Sequence, residues 1–222
     1  VGGTRRPGTT VLIEDVAFPL KELPEATADL QELLVTNEYH DACIYGHALE
    51  GNFHFIISQS FDSPEQVARY EKLMDEVKTL VVDKYDGSLK AEHGTGRNMA
   101  PFVKYEWGER AYGFMKAVKE LFDPKGLLNP GVIFNEDPHC HLKHFKPMPL
   151  TNAHVDKCIE CGFCEVNCLT CGFSLSSRQR IVIQREISRL KKLSDTESSE
   201  RLKTLQKQYK YLGNATCAGD GL

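Results

Sequence analysis

The sequence has no long hydrophobic run, no excess of basic residues and no leader-like pattern in its first residues. No stretch near 18 residues is apolar throughout, and no charged segment followed by an apolar one opens the chain, so neither a transmembrane helix nor a secretory leader is predicted. The formal net charge is -4 for 222 residues, which argues against a nucleic-acid-binding protein. We therefore expect a cytosolic protein, or one bound peripherally to the inner face of the membrane.

Cysteine, by contrast, is abundant and unevenly placed. The chain has eight cysteines, and six of them fall between Cys158 and Cys217. In a reducing compartment, such clustering indicates metal or iron–sulfur ligation before disulfides. The chain also opens on VGGTRRPGTT, without Met and directly before a strand-like segment, so we expect it to be a piece of a longer protein.

The hydrophobic pattern predicts an α+β fold with helices on one face of an antiparallel sheet. A strand is predicted from Val11 to Phe18, a helix over residues 23–37, and a β-hairpin over residues 41–61. A second helix begins after Ser63, with Pro64 at its first position, Gln66 completing a capping box and Gly87 as its end. A third helix carries Ala111, Phe114, Met115, Val118, Leu121 and Phe122.

Composition divides the chain into three parts. Residues 1–136 form the α+β domain. Residues 137–151 hold three prolines and three histidines without periodicity, and we interpret them as a linker. Residues 152–222 combine the cysteine cluster with two helical segments, which predicts a small all-α domain.

Two histidines and a glutamate could form a metal site. His47 and His54 stand at the two ends of the predicted hairpin loop, where their imidazoles could converge on one divalent ion. Glu92 and His93 follow on a loop with two glycines. A metal held by His47, His54 and Glu92 would keep coordination positions open and act as a Lewis acid, with His93 able to take a proton. Each residue could instead only satisfy local hydrogen bonds, and spacing alone does not decide.

The cysteine cluster follows the C-x2-C-x2-C-x3-C pattern of bacterial ferredoxins. Cysteines separated by only two or three residues favour a 4Fe-4S cluster over zinc, because zinc sites prefer two separated pairs of cysteines. Zinc or plain structural thiols are the alternatives. Leu169 stands where the ferredoxin pattern has proline. The run comprises Cys158, Cys161, Cys164 and Cys168, and Cys171 adds a further thiol.

The chain ends on CAGDGL, which partly repeats CIECGFC with Asp220 in place of a cysteine. In two-cluster ferredoxins the fourth cysteine of one run ligates the other cluster, so Cys168 and Cys217 are predicted to serve a second cluster. A carboxylate from Asp220 would be a less soft ligand than a thiolate. The first three cysteines of the run should then bind iron weakly, or recruit Cys168 or Cys171. For the isolated thiols, Cys43 and Cys140, we expect structural roles.

Several blocks of sequence together resemble a known family. In order along the chain they are RPGTTVLIEDVAFPL, YGHALEGNFH, AEHGTGR, LFDPKGLLNPGVI, CIECGFC and RQRIVIQREI. With them the chain resembles the FAD-linked D-lactate dehydrogenases that carry an iron–sulfur extension. These are relatives of D-2-hydroxyglutarate dehydrogenase and of the flavin subunit of glycolate oxidase, in the vanillyl-alcohol-oxidase type of flavoproteins.

This resemblance implies a fold and site residues. Residues 1–136 would be an N-terminally incomplete C-terminal or cap domain of an FAD-linked oxidase, a ferredoxin-like unit that closes over the flavin. Residues 152–222 would be a helical 4Fe-4S domain, truncated at its C-terminus. The family's metal pattern, with Zn or Mn as the ion, falls on His47, His54 and Glu92, its catalytic base on His93, and a flavin-contacting segment on Asn129. The FAD-binding domain, and the arginine that usually holds the substrate carboxylate, would lie upstream.

The expected reaction is the oxidation of a D-2-hydroxy acid, D-lactate by preference, with hydride passing to the flavin. Electrons would then leave singly through 4Fe-4S clusters to a quinone, a cytochrome or a partner protein. We expect this chain alone to be inactive, because it has no flavin site of its own. The alternatives are a non-catalytic iron–sulfur electron-transfer module, in which the histidine loops are only scaffold, and a zinc-stabilised interaction domain.

Overall fold

The computed structural model describes residues 5–219, which form two compact units. One unit is Val11–Lys146, and the other consists, within the described residues, of residues 5–10 and 147–219. The boundary falls inside the segment predicted as a linker. Asp220 and its predicted role in a second cluster lie outside the described residues. None of the helices within residues 5–219 is both long and apolar enough to cross a membrane.

The first unit has the α+β architecture that the sequence predicts. Its three strands form one sheet of order β1-β3-β2, in which β2 and β3 pair as an antiparallel hairpin. The predicted strand, hairpin and helices are all present. Their bounds are β1 Thr10–Ala17, α1 Leu23–Thr36, β2 Cys43–His47, β3 Asn52–Gln59, α2 Pro64–Lys78 and α3 Val103–Phe122.

The sheet and the first two helices share one hydrophobic core. Apolar residues of α1 and α2 recur at spacings of three and four, so they lie on one face of each helix. Full burial of each large apolar side chain contributes about 1.5–3 kcal/mol, and the core thereby fixes the hairpin against the helices. The buried side chains include Val16, Phe55 and Ile57 of the sheet, Ala26, Leu30 and Leu34 of α1, and Tyr70, Leu73, Met74 and Val77 of α2.

The start of α2 differs in one detail from the predicted capping box. The Ser63 hydroxyl accepts a hydrogen bond from the Gln66 N–H, as expected, at 3.4 Å. The Gln66 side chain, however, accepts from the N–H of Asp62 at 2.8 Å, one residue before the cap. At the other end α2 continues as a π turn over Thr79–Lys84, and the Gly87 N–H closes it by donating to the Val81 carbonyl at 2.8 Å.

The third helix is interrupted and exposes its apolar face. Gly108 has a φ of 73° and a ψ of 168°, so the regular helix carrying the predicted apolar residues begins after it. The side chains of Phe114, Leu121 and Phe122 are 72%, 76% and 78% exposed. The periodicity therefore predicted the helix, but within this unit its apolar face is not part of the core.

Part of the predicted linker belongs to the first unit. The ring of Phe145 stacks on that of Phe61 with 3.7 Å between centroids, and His141 packs edge-on against Phe102. Cys140 is buried, and its thiol lies 3.4 Å from the Arg97 carbonyl, which suits a structural cysteine. These aromatic contacts anchor a segment whose prolines and histidines show no periodicity.

The second unit contains the predicted helical tail as α4 Ser177–Leu190 and α5 Thr196–Tyr209. Ser176 caps α4 in a full capping box with Gln179, and Asp195 caps α5 by accepting from the Ser198 N–H at 2.8 Å. These caps explain where both helices begin. The cysteine run precedes α4 as a series of short turns.

Candidate metal centre

The hairpin places two histidines at one end of the sheet. β2 ends at His47, which pairs with Asn52, and His54 lies two residues further along β3. The connection is a short 3-10 turn followed by Gly51 in the left-handed region, with φ 71°. A Cβ at Gly51 would lie 2.2 Å from the Phe18 carbonyl oxygen, so the close approach of the turn to the end of β1 requires glycine.

The loop bearing Glu92 is fastened to β1. Ala17 and Ser88 exchange backbone hydrogen bonds of 2.8 and 2.9 Å, which brings the chain after Ser88 alongside the strand. The carboxylate of Asp15 then accepts hydrogen bonds from the backbone N–H groups of residues 91–93, at 2.8–3.2 Å. The loop thus begins at the same end of the sheet as the hairpin turn.

Three of the predicted metal ligands meet at that end. Oε1 of Glu92 lies 3.2 Å from Nε2 of His47 and 3.0 Å from Nε2 of His54. One donor atom from each of the three residues lies within 4.8 Å of the others, and among residues 5–219 this is the one group of histidine, cysteine and acidic side chains with that property. The side chains of His47 and Glu92 are 60% and 48% exposed, while that of His54 is 5% exposed. The group therefore opens to solvent on one side.

The chemistry of the three donors fits a divalent ion. Two imidazole nitrogens and one carboxylate oxygen are the donor types of open zinc sites and are also suited to manganese. Within the described part of the chain, residues 5–219, the buried Nδ1 of His54 has no hydrogen-bond partner. The orientation of this ring is instead set by its contacts with Tyr45 and His93, at centroid distances of 5.2 and 4.5 Å.

His93, the predicted base, lies beside the three ligands. Its ring is stacked on that of His54, with 8° between the planes. Its Nε2 is 3.7 Å from Oε1 of Glu92, and its Nδ1 is 3.9 Å from Oδ2 of Asp15. The side chain is 43% exposed, so a molecule at the open side of the group could reach it.

Two buried carboxylates of β1 support the loop. Burial alone would raise the pKa of Asp15, but the hydrogen bonds from three backbone N–H groups hold that pKa below its usual range. Burial raises the pKa of Glu14, even though Nζ of Lys90 lies 2.6 Å away and the Asn98 amide also donates to it. Glu14 thus joins the start and the end of the loop that carries Glu92.

Comparison with known proteins decides the family. Residues 2–133 match the family described as "FAD linked oxidases, C-terminal domain". The chain belongs to this family. The description of the family links its members to FAD and to oxidation.

Individual proteins are also similar to this chain over 54–63% of its length. D-2-hydroxyglutarate dehydrogenase of Stutzerimonas stutzeri is 33% identical over 124 residues, 54% of this chain and 26% of that protein. The mitochondrial D-lactate dehydrogenase (cytochrome) of Kluyveromyces lactis is 30% identical over 141 residues, 63% of this chain and 23% of that protein. The glycolate oxidase subunit GlcD of Bacillus subtilis is 27% identical over 128 residues, 58% of this chain and 27% of that protein. The chain thus spans about a quarter of the length of the curated relatives it matches.

Asn129, for which the family resemblance implied a flavin contact, lies in an exposed turn after α3. Its φ is 45°, in the left-handed region. Asp123 shapes this turn by accepting from the N–H groups of Leu127 and Leu128 at 2.8 and 2.9 Å, and it also pairs with Lys119. Hydrogen bonds lower the pKa of Asp123 to about 2, the largest effect coming from the Lys119 ammonium and the next from the Leu128 N–H. Asn129 is not part of the metal group.

The cysteines of the second unit are free thiols on short turns. Among residues 5–219, no three cysteine sulfurs come as close together as the donor atoms of the histidine–glutamate group. A separation within 4.8 Å, as in the histidine–glutamate group, suits the ligands of a single ion. The cysteines of a four-iron cluster lie further apart, because the cluster stands between them. The Thr170 hydroxyl lies 3.4 Å from Sγ of Cys168, and this hydrogen bond is the main cause that lowers the pKa of that thiol to about 7.

Arginines of α4 hold the cysteine-bearing turns. Arg185 donates to the Cys158 carbonyl at 2.8 Å and pairs with Glu160. Arg180 is buried and donates to the Gly213 carbonyl at 2.7 Å and to the Thr170 hydroxyl at 3.0 Å. One guanidinium therefore joins the chain after Cys168 to the chain before Cys217.

Sequence reasoning does not find Asp15 or Arg180. The pattern that could indicate them is a charged residue inside an otherwise apolar strand or helix face, because such residues are rarely buried unless they are paired. Asp15 lies between Leu12 and Val16 in a predicted strand, and Arg180 immediately precedes an apolar Ile-Val-Ile run. What each residue binds depends on long-range contacts, which the pattern does not show.

Proposed function

We propose that this chain is part of an FAD-dependent dehydrogenase that oxidises a D-2-hydroxy acid, D-lactate by preference, to the 2-oxo acid. The convergence of His47, His54 and Glu92 beside His93 carries the proposal. Family membership supports the flavin, and the relatives named above are each named for a 2-hydroxy acid or its oxidation. In this proposal residues 1–136 are the cap domain on the substrate side of the flavin.

His47, His54 and Glu92 would hold a divalent ion, zinc or manganese. Such an ion supplies Lewis acidity, which makes a nearby hydroxyl or carboxylate oxygen easier to bind in its anionic form. The half-exposed side chains of His47 and Glu92 leave one side of the group open to a substrate. The buried His54 fixes the position of the group relative to the sheet.

His93 would act as the base. Oxidation of a 2-hydroxy acid releases the hydroxyl proton and a hydride from C2, and an imidazole can accept the proton at neutral pH. The stacking on His54 and the approach of Nε2 to Glu92 hold the His93 ring at the edge of the ligand group. FAD would supply the hydride acceptor and the means of passing on electrons one at a time.

The second unit would carry those electrons onward through 4Fe-4S clusters. The C-x2-C-x2-C-x3-C run supports this part of the proposal, with Cys158, Cys161 and Cys164 on one cluster and Cys168 and Cys217 on another. The final acceptor would be a quinone, a cytochrome or a partner protein. Single-electron carriers next to a flavin fit an enzyme that must pass on its electrons one at a time.

Turnover of D-lactate by the complete protein tests the proposal. His93→Ala should lower kcat by about 10²–10⁴-fold, which is the usual contribution of a general base. His40→Ala is the matched control, because His40 is an exposed histidine outside the ligand group. Full activity of His93→Ala would contradict the assignment of the base. A complete protein that oxidises no hydroxy acid would contradict the proposal and favour the electron-transfer module.

A further inference from the structure

Asp15 connects the hairpin that carries His47 and His54 to the loop that carries Glu92. The residue lies within β1, and its side chain is fully buried. Oδ1 accepts hydrogen bonds from the Asn52 side-chain amide at 3.0 Å and from the Ala91 N–H at 2.9 Å. Oδ2 accepts from the His93 N–H at 2.8 Å, and the Glu92 N–H lies 3.2 Å from both oxygens. Both carboxylate oxygens are therefore occupied by donors from the ligand-bearing segments.

The donors belong to two segments that are far apart in the sequence, the hairpin and the loop that carries Glu92. Asn52 pairs with His47 across the hairpin and lies two residues before His54. The other three donors are the backbone of Glu92 and of its two neighbours. Moving the Asp15 carboxylate would therefore change the position of Glu92 relative to the two histidines.

The charge of Asp15 is essential to this arrangement. Hydrogen bonds from N–H groups to a carboxylate are roughly twice as strong as neutral ones. A carboxylate can accept at both oxygens, whereas an asparagine in the same position would direct its NH2 group at N–H donors. The amide would have the same shape, but its NH2 group would face and repel at least one backbone N–H group of the loop.

We propose that Asp15 is a positioning residue that preorganises His47, His54 and Glu92 for metal binding. It does so by linking the hairpin to the loop that carries Glu92. This inference rests on the metal site of the proposed function. Partners that orient metal ligands typically contribute 10–100-fold to metal affinity. Asp15 acts through the backbone of Glu92 and the amide of Asn52, and it does not contact the ion.

Mn²⁺ affinity of the chain tests this role. Mn²⁺ is the suitable probe because thiolates favour softer ions, so the cysteines of the second unit compete less for it. The free Mn²⁺ signal in electron paramagnetic resonance reports the dissociation constant without any need for activity. Asp15→Asn should weaken Mn²⁺ binding by about 10–100-fold, while far-ultraviolet circular dichroism remains that of the wild type.

Asp123→Asn is the matched control. Asp123 is another buried aspartate of the first unit, and its carboxylate accepts hydrogen bonds from the N–H groups of Leu127 and Leu128 in the turn after α3. Both substitutions replace a buried carboxylate that accepts from backbone N–H groups, so both should lower thermal stability. We expect Asp123→Asn to keep the Mn²⁺ affinity of the wild type.

Three outcomes would overturn the inference. In the first, folded Asp15→Asn binds Mn²⁺ as tightly as the wild type. In the second, Asp123→Asn loses as much affinity as Asp15→Asn, which would show a general loss of stability. In the third, the wild-type chain binds no Mn²⁺, which would refute the metal site of the proposed function and this inference with it.

Asn52→Ala provides a second variant in case Asp15→Asn does not fold. It removes one of the donors to Asp15 and leaves the backbone donors in place. We expect a smaller loss of Mn²⁺ affinity in the same direction. A folded Asn52→Ala protein with unchanged affinity would contradict the proposed link between the loops.

Discussion

Oε1 of Glu92 lies 3.0 Å from Nε2 of His54, although one residue belongs to a loop and the other to the central strand of the sheet. The same oxygen is 3.2 Å from Nε2 of His47. Imidazoles and carboxylates bind a metal ion only in their deprotonated forms, so metal affinity should fall as the pH is lowered.

The turn between the two histidines provides a first prediction. Gly51→Ala should disrupt the end of the hairpin, because its Cβ would lie 2.2 Å from the Phe18 carbonyl oxygen. Gly94→Ala is the control, since its Cβ would meet no atom within 4 Å although its φ of 72° is also left-handed. Gly94→Ala should cost about 1–2 kcal/mol of unfolding free energy, and Gly51→Ala clearly more, as measured by urea denaturation. Equal losses for the two variants would contradict the close packing of the turn on β1.

The buried pair of Glu14 and Lys90 provides a second prediction. Lys90→Met leaves a buried carboxylate without its counter-charge, which should lower the free energy of unfolding by about 3–5 kcal/mol. The double variant Glu14→Met/Lys90→Met should recover part of that loss, because no charge is left unpaired. Urea denaturation of the single and double variants measures the coupling. Strictly additive losses would show that the two side chains do not stabilise each other.

Arg180 provides a third prediction, for the second unit. Arg180→Met would remove the guanidinium donor to the Gly213 carbonyl, at a cost of about 1–3 kcal/mol for a buried acceptor left unsatisfied. Amide hydrogen exchange should accelerate in residues 210–217 and in the turns before α4. Arg189→Met removes only a half-exposed pair with Glu186, and it should change stability by about 0–1 kcal/mol. Unchanged exchange in Arg180→Met would contradict the role of the guanidinium as a link.

The cysteine run provides a fourth prediction. After anaerobic reconstitution, the chain should be brown and contain iron together with acid-labile sulfide. Cys161→Ser should lower the iron content, whereas Cys43→Ser should not, because Cys43 lies in β2 of the other unit. A colourless protein that holds only zinc would contradict the iron–sulfur proposal. A fully loaded cluster in a variant lacking both Cys168 and Cys171 would contradict the predicted recruitment of those thiols.

Local patterns predicted most of the regular structure. The helical spacing of Ala26, Leu30, Leu33 and Leu34 predicted α1. The two extended runs around ALEGN predicted the hairpin and thus the positions of His47 and His54. The pattern of α3 predicted a helix, but its apolar residues Phe114 and Leu121 are exposed. Periodicity specifies which face of a helix is apolar and carries no information on what that face packs against.

Contacts between distant segments could not be predicted. The sequence EHGTG suggested that Glu92 is a ligand, but only the structure shows that Asp15 fastens its loop to β1. In the same way, the prolines and histidines of residues 137–151 indicated a linker, whereas Phe145 stacks on Phe61 and holds part of that segment in the first unit. Both cases depend on pairs of residues far apart in the chain, which a local pattern does not relate to each other.

The binding of one Mn²⁺ ion per chain tests the central claim most directly. The free Mn²⁺ signal should show a single site in the wild type, and His54→Ala and Glu92→Gln should each abolish it, because each variant removes one of three ligands. His40→Ala should bind Mn²⁺ like the wild type. A wild-type chain that binds no Mn²⁺, or a site that survives in both His54→Ala and Glu92→Gln, would contradict the account.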